Sequence, residues 1–407
     1  YAVLVWDAVL IAAWLADAVR MPAPGFLAVR REWSSPLALR IPSQVTLHLS
    51  NRSHSRITAS IVDATPAWAR SEPPVERVIA LPHDEAAAHY TIVPAERGEL
   101  SIGDAYIRYD GSLGLAQRWA RVPIAQPLVV YPNLDEARKE SMFIVRSRQI
   151  EMERRSVRVR GAGRSFESLR EHREGDEIRD ICWTASARRG KLVTRLYEVE
   201  RSQPIWLVVD TGRLMRARIG DIAKLDIAVN AALSLSQVAV GSGDRVGLLT
   251  YGRQIHDCLP VARGPAHLRR ILERLARVRG EASEADHLHA AASLAQHQTR
   301  RSLVVWITDL PDTAITPESI TAASQLLVRH LVLFVVIGHA ELGSVAARRP
   351  ESVEQMYESA AAQEISHRRG VLLAGLRARG ALVLEAESTL SPALVNAYLE
   401  TKQRNRL

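Results

Sequence analysis

The sequence predicts three parts in series: a transmembrane helix, an all-β sandwich, and an α/β domain on a doubly wound, mainly parallel sheet. Three observations carry this. Residues 2–19 are apolar except for Asp7 and Asp17. Residues 26–134 offer short alternating stretches broken by Pro, Gly, Asn and Ser. From residue 204 onward strand-like and helix-like segments alternate, and two apolar runs, 204–210 and 302–309, each end in a carboxylate, Asp210 and Asp309. A buried parallel strand delivers a polar residue to the functional edge of an open sheet in this way. At 407 residues the chain exceeds one ordinary core.

Within the first part, 1–22, the apolar run 2–19 is just long enough to span a bilayer, and Arg20, Arg30 and Arg31 follow it. The positive-inside tendency then places the downstream chain in the cytoplasm, at the inner (cytoplasmic) membrane. A carboxylate at the bilayer centre costs about 2.5–3.5 kcal/mol, so Asp7 calls for a partner helix, an interfacial depth or protonation. The competing reading is a buried helix of a water-soluble fold. No small-residue cleavage site precedes the basic flank, which disfavours a cleaved signal peptide.

In the second part, 26–134, strands are expected at 44–49, 56–62, 89–93, 99–102, 105–109 and 128–131. Short strands at such intervals, with turn residues between them, suggest an immunoglobulin-like sandwich. The third part, 135–203, is a connector in which Arg138, Lys139, Arg146 and Arg148 are interspersed with Glu136, Glu140 and Glu151. Mixed charge of this kind describes a solvated helix or linker, or a surface for anionic headgroups.

The fourth part, 204–407, has strands expected at 244–250, 255–260, 302–309, 331–337 and 381–384. Helices are expected at 224–240, 264–278, 286–297, 317–329, 353–379 and 392–404. That alternation is Rossmann-like.

Composition excludes several classes of function. The net charge of +8 fits an anionic partner, yet no nucleic-acid module or basic-aromatic interleaving is present. Cys182 and Cys258 lack metal-ligand spacing, so neither a disulfide framework nor structural zinc is supported. Gly241-Ser242-Gly243-Asp244 lacks the Lys-Ser/Thr of a phosphate loop, and no G-x-S-x-G elbow occurs. His287 and His289 are two apart and point to different sides of a helix, which makes them exposed histidines rather than metal ligands.

The connector ends in a dense block: Leu169, Arg170, Gly175, Asp176, Arg179, Ile181, Trp183, Ala187 and Arg188. This spacing resembles the signature of the domain-of-unknown-function family numbered 58, with His172 where that family usually has a tyrosine. Bidentate arginine–carboxylate pairs there would latch the connector to the sheet edge or offer a docking surface. The resemblance implies a von Willebrand factor A-like domain and a pair of N-terminal membrane helices, of which 1–22 would be the second. It also implies a link to MoxR-type AAA+ ATPases and co-encoded membrane proteins.

The A-like fold implies a divalent-metal site on the loops above the strand ends, built from a D-x-S-x-S element, a threonine and an aspartate. Here the first element is Asp210-Thr211-Gly212-Arg213-Leu214, and both serine positions lack an oxygen. The expected site is therefore a degenerate one for Mg2+, made of Asp210, Thr211, Asp286 and Asp309. Arg213 is expected beside it, as a cation able to pair with Asp210 or Asp309 and take the role of the ion. Arg170, Gly175, Asp176, Arg179, Trp183, Arg188 and Arg213 are the expected interface residues.

No catalytic constellation emerges. The expectation is a membrane-anchored adaptor that binds a MoxR-type ATPase or its client. The alternatives are a metal-dependent hydrolase using Asp210 and Asp309, and a self-associating envelope scaffold.

Overall fold

A computed structural model describes residues 2–69, 75–133, 165–172, 178, 181–198, 202–310, 317–338, 340–386 and 389–404. The chain forms two compact units, Tyr1–Glu136 with Leu272–Arg279, and Ala137–Ile271 with Gly280–Leu407.

The first unit opens with the helix Ala2–Arg20. Among the described residues no helix is long and apolar enough to cross a membrane, which overturns the expected transmembrane helix and the inner-membrane location drawn from it. The physical reason lies in its charges, Asp7, Asp17 and Arg20. Asp17 is 1% exposed, and its carboxylate accepts the backbone N–H groups of Leu113 (2.9 Å), Leu115 (2.9 Å) and Ala116 (3.1 Å) and the Ser112 hydroxyl (3.3 Å). These bonds, Leu113's first, hold its carboxyl below the usual range against the opposing effect of burial. A Cβ on Gly111 would stand 2.5 Å from the same carboxylate, so the turn requires glycine. Tyr109 Oη donates to Pro22 O at 2.7 Å, which fixes the chain just past the helix.

The strands of this unit are β1 (Leu27–Trp33), β2 (Ser43–Asn51), β3 (Ile57–Asp63), β4 (Val75–Ala80), β5 (Asp84–Ile92), β6 (Gly98–Ile102), β7 (Ala105–Asp110), β8 (Gln117–Val122) and β9 (Gln126–Val130). They pair antiparallel in the orders β1-β2-β5, β4-β3-β7-β8 and β6-β9. Period-two alternation puts Val45, Leu47 and Leu49 of β2 and Ile57, Ala59 and Ile61 of β3 into one core with Ile107 and Tyr109. A buried ion pair crosses that core. Arg31 Nε donates to Asp63 Oδ2 at 2.8 Å and Nη2 to Oδ1 at 2.5 Å, with Tyr90 Oη donating to Asp63 Oδ2 at 2.5 Å.

In the second unit β10 (Ser165–Glu171) and β11 (Val193–Glu198) form an antiparallel pair, with the helix Trp183–Arg189 between them in sequence. There follow β12 (Pro204–Asp210), the two-residue strands β13 (Arg218–Ile219) and β14 (Ile222–Ala223), the helix Lys224–Gly241, β15 (Arg245–Tyr251) and β16 (Ile255–Ala262). The helices Pro265–Arg277 and His287–His297 precede β17 (Leu303–Thr308). Helix Pro317–Leu327, β18 (Leu331–Ile337), helices Ala340–Ala347 and Val353–Ala378, β19 (Leu382–Ala386) and helix Leu390–Gln403 complete the chain.

One six-stranded sheet runs β16-β15-β12-β17-β18-β19, parallel throughout except for β16. Trp206, Val208, Trp306 and Phe334 pack on helices His287–His297, Pro317–Leu327 and Val353–Ala378. Helix Lys224–Gly241 meets β12 and β15 and packs against Leu390–Gln403. That last helix is tied down by Asp244, whose Oδ2 accepts Tyr398 Oη at 2.5 Å and Lys402 Nζ at 2.6 Å. The chain leaves β12 for β15 on one side and returns to β17 on the other. In open sheets such a reversal is where a crevice forms, at the carboxyl ends of the central strands.

Of the expected interface residues, Gly175, Asp176 and Arg179 lie outside the described residues, as do 134–164 of the connector. Arg170 lies in β10, and Trp183 and Arg188 are exposed on the helix Trp183–Arg189.

Candidate functional site

The crevice is floored by two carboxylates from neighbouring strands. Asp210 ends β12, and Asp309 follows the last residue of β17; both are 2% exposed because the apolar runs before them are fully buried. Asp210 Oδ1 accepts the Gly212 N–H at 2.7 Å, and Oδ2 accepts the Thr308 hydroxyl at 2.6 Å. Burial, reinforced by the charge of Asp309 and opposed by those two bonds, pushes its carboxyl up to about 7.

Asp309 meets a lysine. Lys224 Nζ donates to Asp309 Oδ2 at 2.5 Å, and the Lys224 side chain has no solvent exposure. Lys224 is the first residue of its helix, where the dipole disfavours an ammonium, so the carboxylate is what holds it there. A second cation stands behind: Arg369 Nη1 lies 3.5 Å from Asp309 Oδ1 while its Nη2 donates to Ile337 O at 3.0 Å.

The loops around this floor are stitched by backbone bonds: Thr211 N to Tyr251 O (2.8 Å), Glu281 N to Thr211 O (2.7 Å), Arg213 N to Ser283 O (2.8 Å) and Asp286 N to Gly252 O (2.9 Å). Beneath them Tyr251 Oη accepts Trp306 Nε1–H at 2.6 Å and bonds His287 Nδ1 at 2.8 Å. Burial raises the Tyr251 hydroxyl well above its ordinary range. Glu281 is held below the usual carboxylate range, first by the Arg253 N–H, and its Oε1 lies 2.9 Å from His256 Nε2.

The expected metal ligands do not converge. Thr211 Oγ1 donates to Tyr251 O at 2.9 Å. Asp286 is exposed and caps the helix His287–His297, accepting the His289 N–H at 2.8 Å. Gly212 cannot give way to serine, because a Cβ there would stand 2.9 Å from Ala285 N and 3.1 Å from Asp210 Oδ1. Magnesium demands roughly six oxygens in near-octahedral array. Among the described residues no group of three or more His, Cys, Asp and Glu side chains is placed to hold a metal ion. The donors present, already bonded and facing an ammonium, do not fit a divalent cation.

Two further expectations are corrected. Arg213 is not the cation of the floor: it is exposed and its Nη2 lies 3.3 Å from Glu284 Oε1. His287 is buried, bonded to Tyr251, while His289 is exposed. Sequence reasoning missed Lys224 altogether. The trace it left is the position itself, a lysine opening a largely buried helix.

A two-unit chain whose larger unit is a mainly parallel α/β sheet with a charged cluster at its strand ends is the class that fold and site define. Within it, residues 168–365 match the model of the family described as "Protein of unknown function DUF58". The chain is similar to the uncharacterized protein YeaD of Bacillus subtilis, 25% identical over 226 residues, covering 54% of this chain and 52% of that one. It is also similar to the uncharacterized protein Rv1480 of Mycobacterium tuberculosis, 27% identical over 158 residues, covering 37% of this chain and 48% of that one. The chain thus spans about half the length of the curated relatives it matches. Among solved structures, BatB from Bacteroides thetaiotaomicron covers 50% of this chain and 100% of its own, with a TM-score of 0.33 and 14% identity.

Proposed function

We propose that the chain is an adaptor that grips another protein at the rim of the strand-end crevice, in assembly or maturation, and that the partner is a MoxR-type AAA+ ATPase or its client. The observation that carries this reading is the division of labour at the crevice. Its floor is neutralised and fixed by Lys224 and Asp309, while its rim presents exposed Arg213, Arg216, Glu284 and Asp286 on tightly stitched loops. Rigid, mixed-charge loops favour selective protein contact. A hydrolase using Asp210 and Asp309 fits less well, because a carboxylate held at 2.5 Å by an ammonium is a poor base and a poor metal ligand.

The test is capture of a co-encoded MoxR-type ATPase by the purified chain, with and without magnesium, beside the rim variant Arg213→Glu/Glu284→Lys. Capture by the native chain and its loss in the variant is the expected result. No association under either condition would overturn the proposal.

A further inference from the structure

We propose that Lys224 is the resident cation of the strand-end site: its ammonium stands in for the divalent ion that the two aspartates would otherwise hold, and closes the site to metals. The inference concerns the floor of the crevice and holds whatever the rim binds.

Four observations lead to it. The ammonium lies 2.5 Å from Asp309 Oδ2 with no solvent exposure, which leaves no room for a hydrated ion on that oxygen. Arg369 lies 3.5 Å from the other oxygen, so a divalent ion would face two positive charges. The hydroxyl expected to join such an ion, Thr211 Oγ1, donates to a backbone carbonyl, and Gly212 is too tightly packed against Ala285 to carry another. Lastly, Lys224 sits at a helix N-terminus, where only a nearby anion makes a buried ammonium tolerable. Lysine supplies one fixed charge on a flexible stem where a metal needs several oxygens, so it satisfies Asp309 without preorganised ligands.

The chain should therefore acquire a metal site when the lysine is removed. Mn2+ serves as the probe, its free concentration read by electron paramagnetic resonance. The full chain should bind no stoichiometric Mn2+ at this site, and its titration should match that of Asp309→Asn. Lys224→Ser should gain one bound Mn2+ per chain, at least tenfold tighter than any binding by the native chain. That gain should vanish in Lys224→Ser/Asp309→Asn.

The proposal is overturned if the native chain binds one Mn2+ that Asp309→Asn loses, or if a Lys224→Ser chain with native circular dichroism binds no more than the native chain. Should Lys224→Ser fail to fold, the native chain is compared with Lys224→Met/Asp309→Asn, in which both charges are gone. Equal Mn2+ occupancy supports the proposal, and a stoichiometric ion held by the native chain alone overturns it.

Discussion

Each unit holds a buried aspartate–cation pair, Arg31–Asp63 in the sandwich and Lys224–Asp309 in the α/β unit, and the two differ in the geometry the cation brings. In the sandwich, Arg31 grips Asp63 with two nitrogens, Tyr90 adds a third bond, and Arg31 also donates to Gly103 O at 2.9 Å and Ile124 O at 3.0 Å. In the α/β unit, Lys224 gives a point charge to Asp309, and the proton affinity of a second carboxylate, Asp210, is raised by burial and further by the charge of Asp309. The first arrangement is a staple between strands. The second leaves charge to be redistributed at a crevice, which is where binding sites form in open sheets.

Removing one member of each pair is the harshest way to break this comparison. Arg31→Met and Lys224→Met each take the nearest cation from a buried carboxylate, and each should lower stability by about 3–5 kcal/mol in urea unfolding. The pairs should part when both members go. Lys224→Met/Asp309→Asn should recover most of its loss because the lysine meets Asp309 as a point charge, which goes when both are neutral. Arg31→Met/Asp63→Asn should not, since Gly103 O and Ile124 O lose the donor that Arg31 supplies. Equal recovery by the two double variants would remove the distinction.

The second prediction sharpens it through pH. Burial raises the folded-state carboxyl of Asp210 from 3.8 to about 7. The folded chain therefore binds more protons than the unfolded chain between those values. The contribution of Asp210 is fully present below about pH 4 and is lost as pH rises to 7, by up to ~4 kcal/mol at about 1.4 kcal/mol per unit. Asp210→Asn, which can still accept from Gly212 and meet the Thr308 hydroxyl, should flatten that slope. A slope unchanged in the variant would assign the titration elsewhere.

How much of this was legible in the sequence follows from the range of the interactions. Runs 204–210 and 303–308 read as strands because a strand buried on both faces needs an unbroken apolar stretch. The strands Leu27–Trp33 and Gln117–Val122 escaped notice, since arginines interrupt their alternation and only part of each faces the core. Asp210 and Asp309 were readable as a pair at strand ends. Lys224 was not, because its partner lies 85 residues away and a lone lysine opening a helix looks solvated. Arg213 drew attention by proximity in sequence, which the turn into Arg213–Arg216 makes irrelevant. Asp17 looked like a charge tolerated within an apolar span, yet its bonds go to a corner nearly a hundred residues on. At the Asp110-Gly111-Ser112 corner a Cβ on Gly111 would collide with that carboxylate.

The smallest effect concerns Asp286, the one expected metal ligand that lies on the exposed rim. Its carboxylate accepts the His289 N–H and so caps the helix His287–His297. Asp286→Ala should then cost about 1 kcal/mol, and Asp286→Ser, which can accept the same bond, should cost little. A metal ligand would behave differently, because alanine and serine would both weaken ion binding and stability would depend on added magnesium. Thermal unfolding of the two variants with and without 10 mM-order magnesium, roughly the range in which weak hard-cation sites fill, separates the cases. A magnesium-independent loss confined to alanine keeps the rim as a capped, metal-free edge. A magnesium-dependent loss in both variants would return Asp286 to the carboxylates of the floor and erase the contrast between that floor and the sealed pair in the sandwich.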